Sequence, residues 1–164
     1  MIDPEKIVSY LASLKQFRVF NVQSKEAYDS FAPLIPNCVP RCLSTSYENS
    51  NLIAYTQSKQ LILVDLAIRS AENSAQPAQA QIKREARLKA LAMRADGSAV
   101  AVGDEAGKVF HIENLAACFP QTKGNVLIQT LHWHANGVNA LKFMDNAPFL
   151  LSGGQESVLV QWHL

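Results

Sequence analysis

The sequence predicts an all-β protein assembled from stacked repeats of short strands. A set of apolar positions, Leu43, Leu52, Ile53, Leu61 and Val64, recurs 48 residues on as Leu91, Val100, Ala101, Val109 and Ile112. It recurs again 50 residues later as Leu141, Leu150, Leu151, Leu159 and Trp162. Short apolar runs at such a period, with small or polar turns between them, mark units that bury their faces against one another. Hydrophobic residues make up 48% of the 164-residue chain, enough for a real core and too many for a disordered segment.

Composition removes several classes of function. No apolar run approaches the roughly 20 residues of a membrane helix. The start, Met1-Ile2-Asp3-Pro4-Glu5-Lys6, is acidic and has no apolar stretch after it, unlike a secretory signal. Fifteen basic and fourteen acidic side chains leave a net charge of +1, which is no electrostatic footprint for nucleic acid. Three cysteines without framework spacing suit a reducing compartment.

Residues 1–36 form a poorly defined N-terminal segment. Asp3 and Pro4 suit a helix start, with Ile7, Val8, Leu11 and Leu14 on one face, while Arg18–Val22 reads as a strand. Pro33, Pro36 and Pro40 make Phe31–Pro40 a loop. The first repeat, about 41–66, offers strands at Cys42–Ser46, Leu52–Tyr55 and Gln60–Val64, with a turn at 48–51. Ala67–Gln81 is rich in Ala, Ser, Gln and Asn and reads as a mobile surface loop. In the second repeat, about 87–115, the helix formers of Ile82–Arg94 conflict with the repeat register. The register prevails from Arg87 onward, leaving a helical turn at Ile82–Ala86, and Val100–Val102 and Lys108–Ile112 read as strands. In the third repeat, about 134–164, Gly137–Phe143 alternates as a half-buried strand does, followed by strands at Phe149–Ser152 and Val158–Trp162.

The string His134-x-x-x-Val138-x-x-Leu141-x-Phe143, then Leu151-Ser152-Gly153-Gly154 and Trp162, resembles a WD repeat. In that family each repeat is a four-stranded antiparallel blade of a β-propeller. The resemblance implies a structural hydrogen-bond network of His134, Ser152, Glu156 and Trp162. Glu156 stands where the family usually has Asp, and repeats one and two carry Val64 and Ile112 in place of Trp. Residues 131–162, less so 87–115, and 41–66 in pattern only, resemble the WD repeat-containing protein 75 family. That resemblance implies a non-catalytic scaffold in the nucleolus of the nucleus. Its work there is small ribosomal subunit biogenesis, pre-rRNA processing and rRNA transcription. Its partners are other subunits of that assembly complex, with pre-rRNA as a further contact, and it needs no cofactor, membrane or small-molecule substrate. The expected fold is therefore a propeller segment of about three blades within 37–164, the last blade lacking its outer strand. It reads as a slice of a larger protein or a truncated gene model, with unpaired edges.

Other readings compete with these. A generic WD-repeat adaptor of a ubiquitin ligase or trafficking coat fits the same pattern. A small metalloprotein using His132, His134 and cysteines is more remote, because one loose Cys38/Cys42 pair is no knuckle. No catalytic set stands out. The basic run Lys83, Arg84, Arg87 and Lys89, together with Trp133, supplies candidate contacts to RNA or a partner.

Overall fold

A computed structural model describes the chain except residues 1–5, 47, 49, 50, 72, 120, 121 and 146, and the side chain of residue 28. Fourteen strands form four antiparallel sheets among the described residues. The first holds β1 (Lys6–Leu11), β2 (Gln16–Asn21) and β3 (Ala27–Phe31) in sequence order. The second holds β4 (Leu43–Thr45), β5 (Leu52–Gln57), β6 (Gln60–Arg69) and β7 (Pro77–Lys83). The third holds β8 (Leu88–Met93), β9 (Ala99–Asp104), β10 (Lys108–Glu113) and β11 (Leu127–His132). The fourth holds β12 (Val138–Phe143), β13 (Phe149–Gly154) and β14 (Leu159–His163). The three repeats thus become three consecutive sheets of up-and-down strands, the last with three strands.

Alternation explains why the sheets stack. All six residues of β5 are buried. Ile53 and Tyr55 point to one side, where they meet Phe17, Val19 and Phe31 of the first sheet. Leu52 and Ala54 point to the other, against Leu88, Val100 and Val102 of the third. β9 repeats the pattern: Val100 and Val102 face the second sheet, while Ala99 and Ala101 face Val138, Phe143 and Leu150 of the fourth. Strands covered on both faces read as nearly continuous apolar runs, and only neighbouring sheets can cover them.

Three local expectations are corrected. Residues 7–11 are strand rather than helix, because β1 pairs with β2 from Lys6↔Asn21 to Leu11↔Gln16. The suggested cap at Asp3 and Pro4 lies outside the described residues. Residues 6–31 therefore add a further sheet ahead of the three repeats. Ala67–Gln81 is not one long loop: β6 continues to Arg69, and β7 pairs with it from Pro77. An outer strand needs few large apolar residues, and its first position tolerates proline, so composition concealed it. Ile82 and Lys83 extend that strand where a helical turn was expected, since pairing with Leu61 and Gln60 overrides helix propensity.

The proline-rich crossing between the first two sheets is pinned by buried polar side chains. The Gln57 amide donates to the carbonyls of Ile35 and Cys38 and accepts from the Ile35 N–H. The Tyr55 hydroxyl accepts from the Leu34 N–H and donates to Gln79 Oε1. Burial pushes the Tyr55 phenol well above its ordinary range.

Phe17 stacks on Phe31 at 4.9 Å and lies 4.7 Å from Tyr55 between ring centroids. Phe17→Ala is therefore expected to cost about 3–5 kcal/mol. Chemical denaturation measures the loss, and hydrogen exchange should show protection falling first in β1–β3.

Candidate functional site

The β11–β12 connection, β13, the β13–β14 turn and β14 bring four side chains together. His134 Nε2 lies 2.7 Å from Ser152 Oγ, and Trp162 Nε1 donates to the same oxygen at 2.8 Å. His134 Nδ1 lies 2.5 Å from Glu156 Oε1. Donor and acceptor chemistry orders the chain. The indole N–H can only donate, so Ser152 Oγ accepts it while sharing a second hydrogen bond with His134 Nε2. An ionised carboxylate can only accept, so Nδ1–H donates to Glu156. Both imidazole nitrogens are thereby satisfied. His134 and Ser152 are 1% exposed, so those bonds are made out of water.

Two glycines make room for this arrangement. Gly107, in the β9–β10 turn, has φ +84°, and a side chain there would collide with the backbone carbonyl of His134. The third sheet's turn thus packs directly on the loop that carries the histidine. Gly154 lies under the Glu156 carboxylate, where a β-carbon would overlap it. A longer acid than the family's usual Asp therefore reaches the imidazole across a bare glycine.

The Glu156 carboxyl is held below its ordinary value, chiefly by its own backbone N–H. Partial desolvation opposes that effect, and the bond to His134 and the N–H of Asn136 reinforce it. This arrangement fastens β13 and β14 to the chain that enters β12.

The basic candidates do not form one patch. Lys83 and Arg84 line a cleft of about 600 Å³ between the end of β7 and the β9–β10 turn, with Lys108, Phe110 and Thr130 opposite. Arg87 and Lys89 are outside that lining, and the Lys89 side chain lies against Gly137. Trp133 projects from the β11–β12 connection, 71% exposed. Sequence reasoning missed Lys108, Phe110 and Thr130. The spacing of two between Lys108 and Phe110 places them on one strand face, but their nearness to Arg84 depends on sheet stacking. The alternative metal site does not assemble, because both His134 nitrogens are engaged. No group of three His, Cys, Asp or Glu side chains stands close enough to hold an ion among the described residues. Cys38, Cys42 and Cys118 are free thiols, and burial raises Cys118.

Comparison with known proteins bears on fold and ancestry. No protein-family model matches the chain. It is 47% identical over 68 residues, 42% of its length, to U3 small nucleolar RNA-associated protein 17 of Schizosaccharomyces pombe. It is 43% identical over 63 residues, 38% of its length, to WD repeat-containing protein 75 of Danio rerio. The matches span only 8% and 7% of those two proteins. The β-propeller domain of Myceliophteria thermophila Cps50 (Swd1) superposes with a TM-score of 0.69 at 12% identity. That superposition covers 98% of this chain and 49% of the other. A chain of the mitotic checkpoint complex superposes at 0.66 with 16% identity, covering 91% of this chain and 41% of its own. The fold is a β-propeller segment, and part of its sequence is similar to WD-repeat proteins.

Ser152→Ala removes the centre of the relay and strands the Trp162 indole N–H and the His134 Nε2. It should cost about 1–3 kcal/mol, read by chemical denaturation. Gly107→Ala should destabilise by more than about 1 kcal/mol, through backbone strain and the clash with the His134 carbonyl. Because folding depresses Glu156, its contribution is full above the unfolded carboxyl's ordinary value and is lost as pH falls through the lower folded one. Denaturation of the wild type should therefore show an acid-dependent step that Glu156→Gln lacks.

Proposed function

We propose that this WD-repeat β-propeller segment belongs to a non-catalytic scaffold of small ribosomal subunit assembly in the nucleolus. The observation that carries the reading is the 47% identity over 68 residues to a U3 small nucleolar RNA-associated protein. Identity at that level, over a segment of a repeat fold with little constraint on exposed positions, goes beyond what shared architecture requires: two propellers that superpose on it share 12% and 16%.

The mechanism is binding. Stacked sheets hold turns and outer strands in fixed relation, and those turns and edges meet neighbouring subunits. His134, Ser152, Glu156 and Trp162 keep the fourth sheet in register, a structural role. Pre-ribosomal RNA and factors of its transcription are contacted within the same assembly. This reading also favours a protein that performs no chemistry, since the side chains with polar contacts in the relay are consumed by one another.

Tagging the endogenous parent protein and purifying it gently should recover nucleolar small-subunit assembly factors together with the U3 RNA, identified by mass spectrometry and RNA sequencing. Recovery instead of a ubiquitin ligase or a vesicle coat would remove the ribosome-assembly assignment.

A further inference from the structure

The cleft between the second and third sheets holds an unbalanced set of charges. One wall is the end of β7 and the chain that leaves it, with Lys83 and Arg84. The other is β10 and β11, with Lys108, Phe110 and Thr130. The Arg84 guanidinium sits over the Phe110 ring, 4.8 Å from its centroid. Its Nη1 donates to the Lys83 carbonyl at 3.1 Å. Its Nε and Nη2 are shielded from solvent and have no acceptor. Those two atoms form one edge of the guanidinium fork, the edge that takes a carboxylate through two parallel bonds. Leaving them dry and unpaired is costly, and an incoming acceptor removes the cost.

The carboxylates nearby do not supply that acceptor. Asp104 Oδ1 is occupied by the N–H groups of Ala106 and Lys108, each at 2.9 Å. Glu85 is exposed at the rim. Among the described residues neither acid forms an ion pair with Lys83, Arg84 or Lys108. Burial accordingly lowers the Arg84 pKa with no carboxylate to oppose it.

The shape of the charge distribution selects the ligand. A nucleic-acid backbone needs a continuous positive track. Here the cations are confined to one cleft, Lys89 is turned aside against Gly137, and Asp104 and Glu85 interrupt the lining. A peptide brings isolated carboxylates, with backbone N–H groups that acidic neighbours tolerate. We infer that this cleft docks an acidic segment of a partner protein, one carboxylate gripped by the Nε/Nη2 edge of Arg84 with Lys83 and Lys108 alongside. The inference rests on the scaffold reading only in that the ligand is a protein.

Fluorescence anisotropy with the purified chain tests it. The probes are a short labelled Glu-rich peptide, its Gln-rich counterpart and a single-stranded RNA of matching length. The Glu-rich peptide should bind best, and Arg84→Gln should weaken it by at least about tenfold at an unchanged melting temperature. Lys108→Gln, which leaves the Arg84–Phe110 stack in place, should weaken it less and guards against an Arg84 variant that misfolds. Equal binding of wild type and Arg84→Gln would overturn the inference, as would tighter binding of RNA that is likewise lost in Arg84→Gln. Purification of the tagged parent separates the two readings. Failure of the peptide assay with nucleolar factors still recovered sinks the cleft alone. Loss of those factors from the wild type sinks the scaffold reading and leaves the cleft to the anisotropy result.

Discussion

Everything in this structure depends on one constraint: its central strands are apolar on both faces. β5 and β9 have no exposed residue, and alternate side chains along each enter different interfaces. A sheet of that kind cannot stand alone in water, because roughly half its apolar area would stay wet. Stacking the next sheet is the remedy, and it presents the same need again. The interfaces differ in texture. Aromatic and β-branched side chains fill the first, and larger aliphatics the second. The third relies on Ala90, Ala92, Ala99 and Ala101 and so brings the last two sheets close together.

Apolar packing is non-directional, so each junction also carries polar fasteners that set register. Between the first two sheets these are the bonds of Tyr55 and Gln57 to the crossing chain. Between the second and third, Ser46 Oγ donates to the Ala95 carbonyl at 2.6 Å and Ser44 Oγ accepts from the Met93 N–H at 3.1 Å. In the fourth sheet the fastener is the His134, Ser152, Glu156 and Trp162 relay. The second and third sheets lack that tryptophan and lie between neighbours on both sides. The fourth carries it, and the relay ties β13 and β14 to the chain that enters β12. Gly107 joins these two levels, since its turn belongs to the third sheet and packs on the histidine of the fourth.

The legibility of these features followed their range in sequence. The relay spans His134 to Trp162 within one repeat, and a local motif points to all four members. The strands of the repeats were visible through their apolar runs and turns. β1 and β7 were not: Ile7, Val8 and Leu11 also fit a helical face, and Pro77–Lys83 has almost no large apolar residue. Each is a strand because a partner strand supplies its hydrogen bonds, and pairing is invisible in a single segment's composition.

By itself the sequence determined the repeat, its period and the residues of the relay, because these arise from local alternation and from side-chain types within one unit. The tertiary structure alone decided that residues 6–31 join the stack and that a basic run in sequence divides in space. It also decided that Arg84 finds Phe110 rather than a carboxylate. The physical reason is common to all three: each depends on which sheet lies against which, and that contact is set by faces contributed from distant parts of the chain.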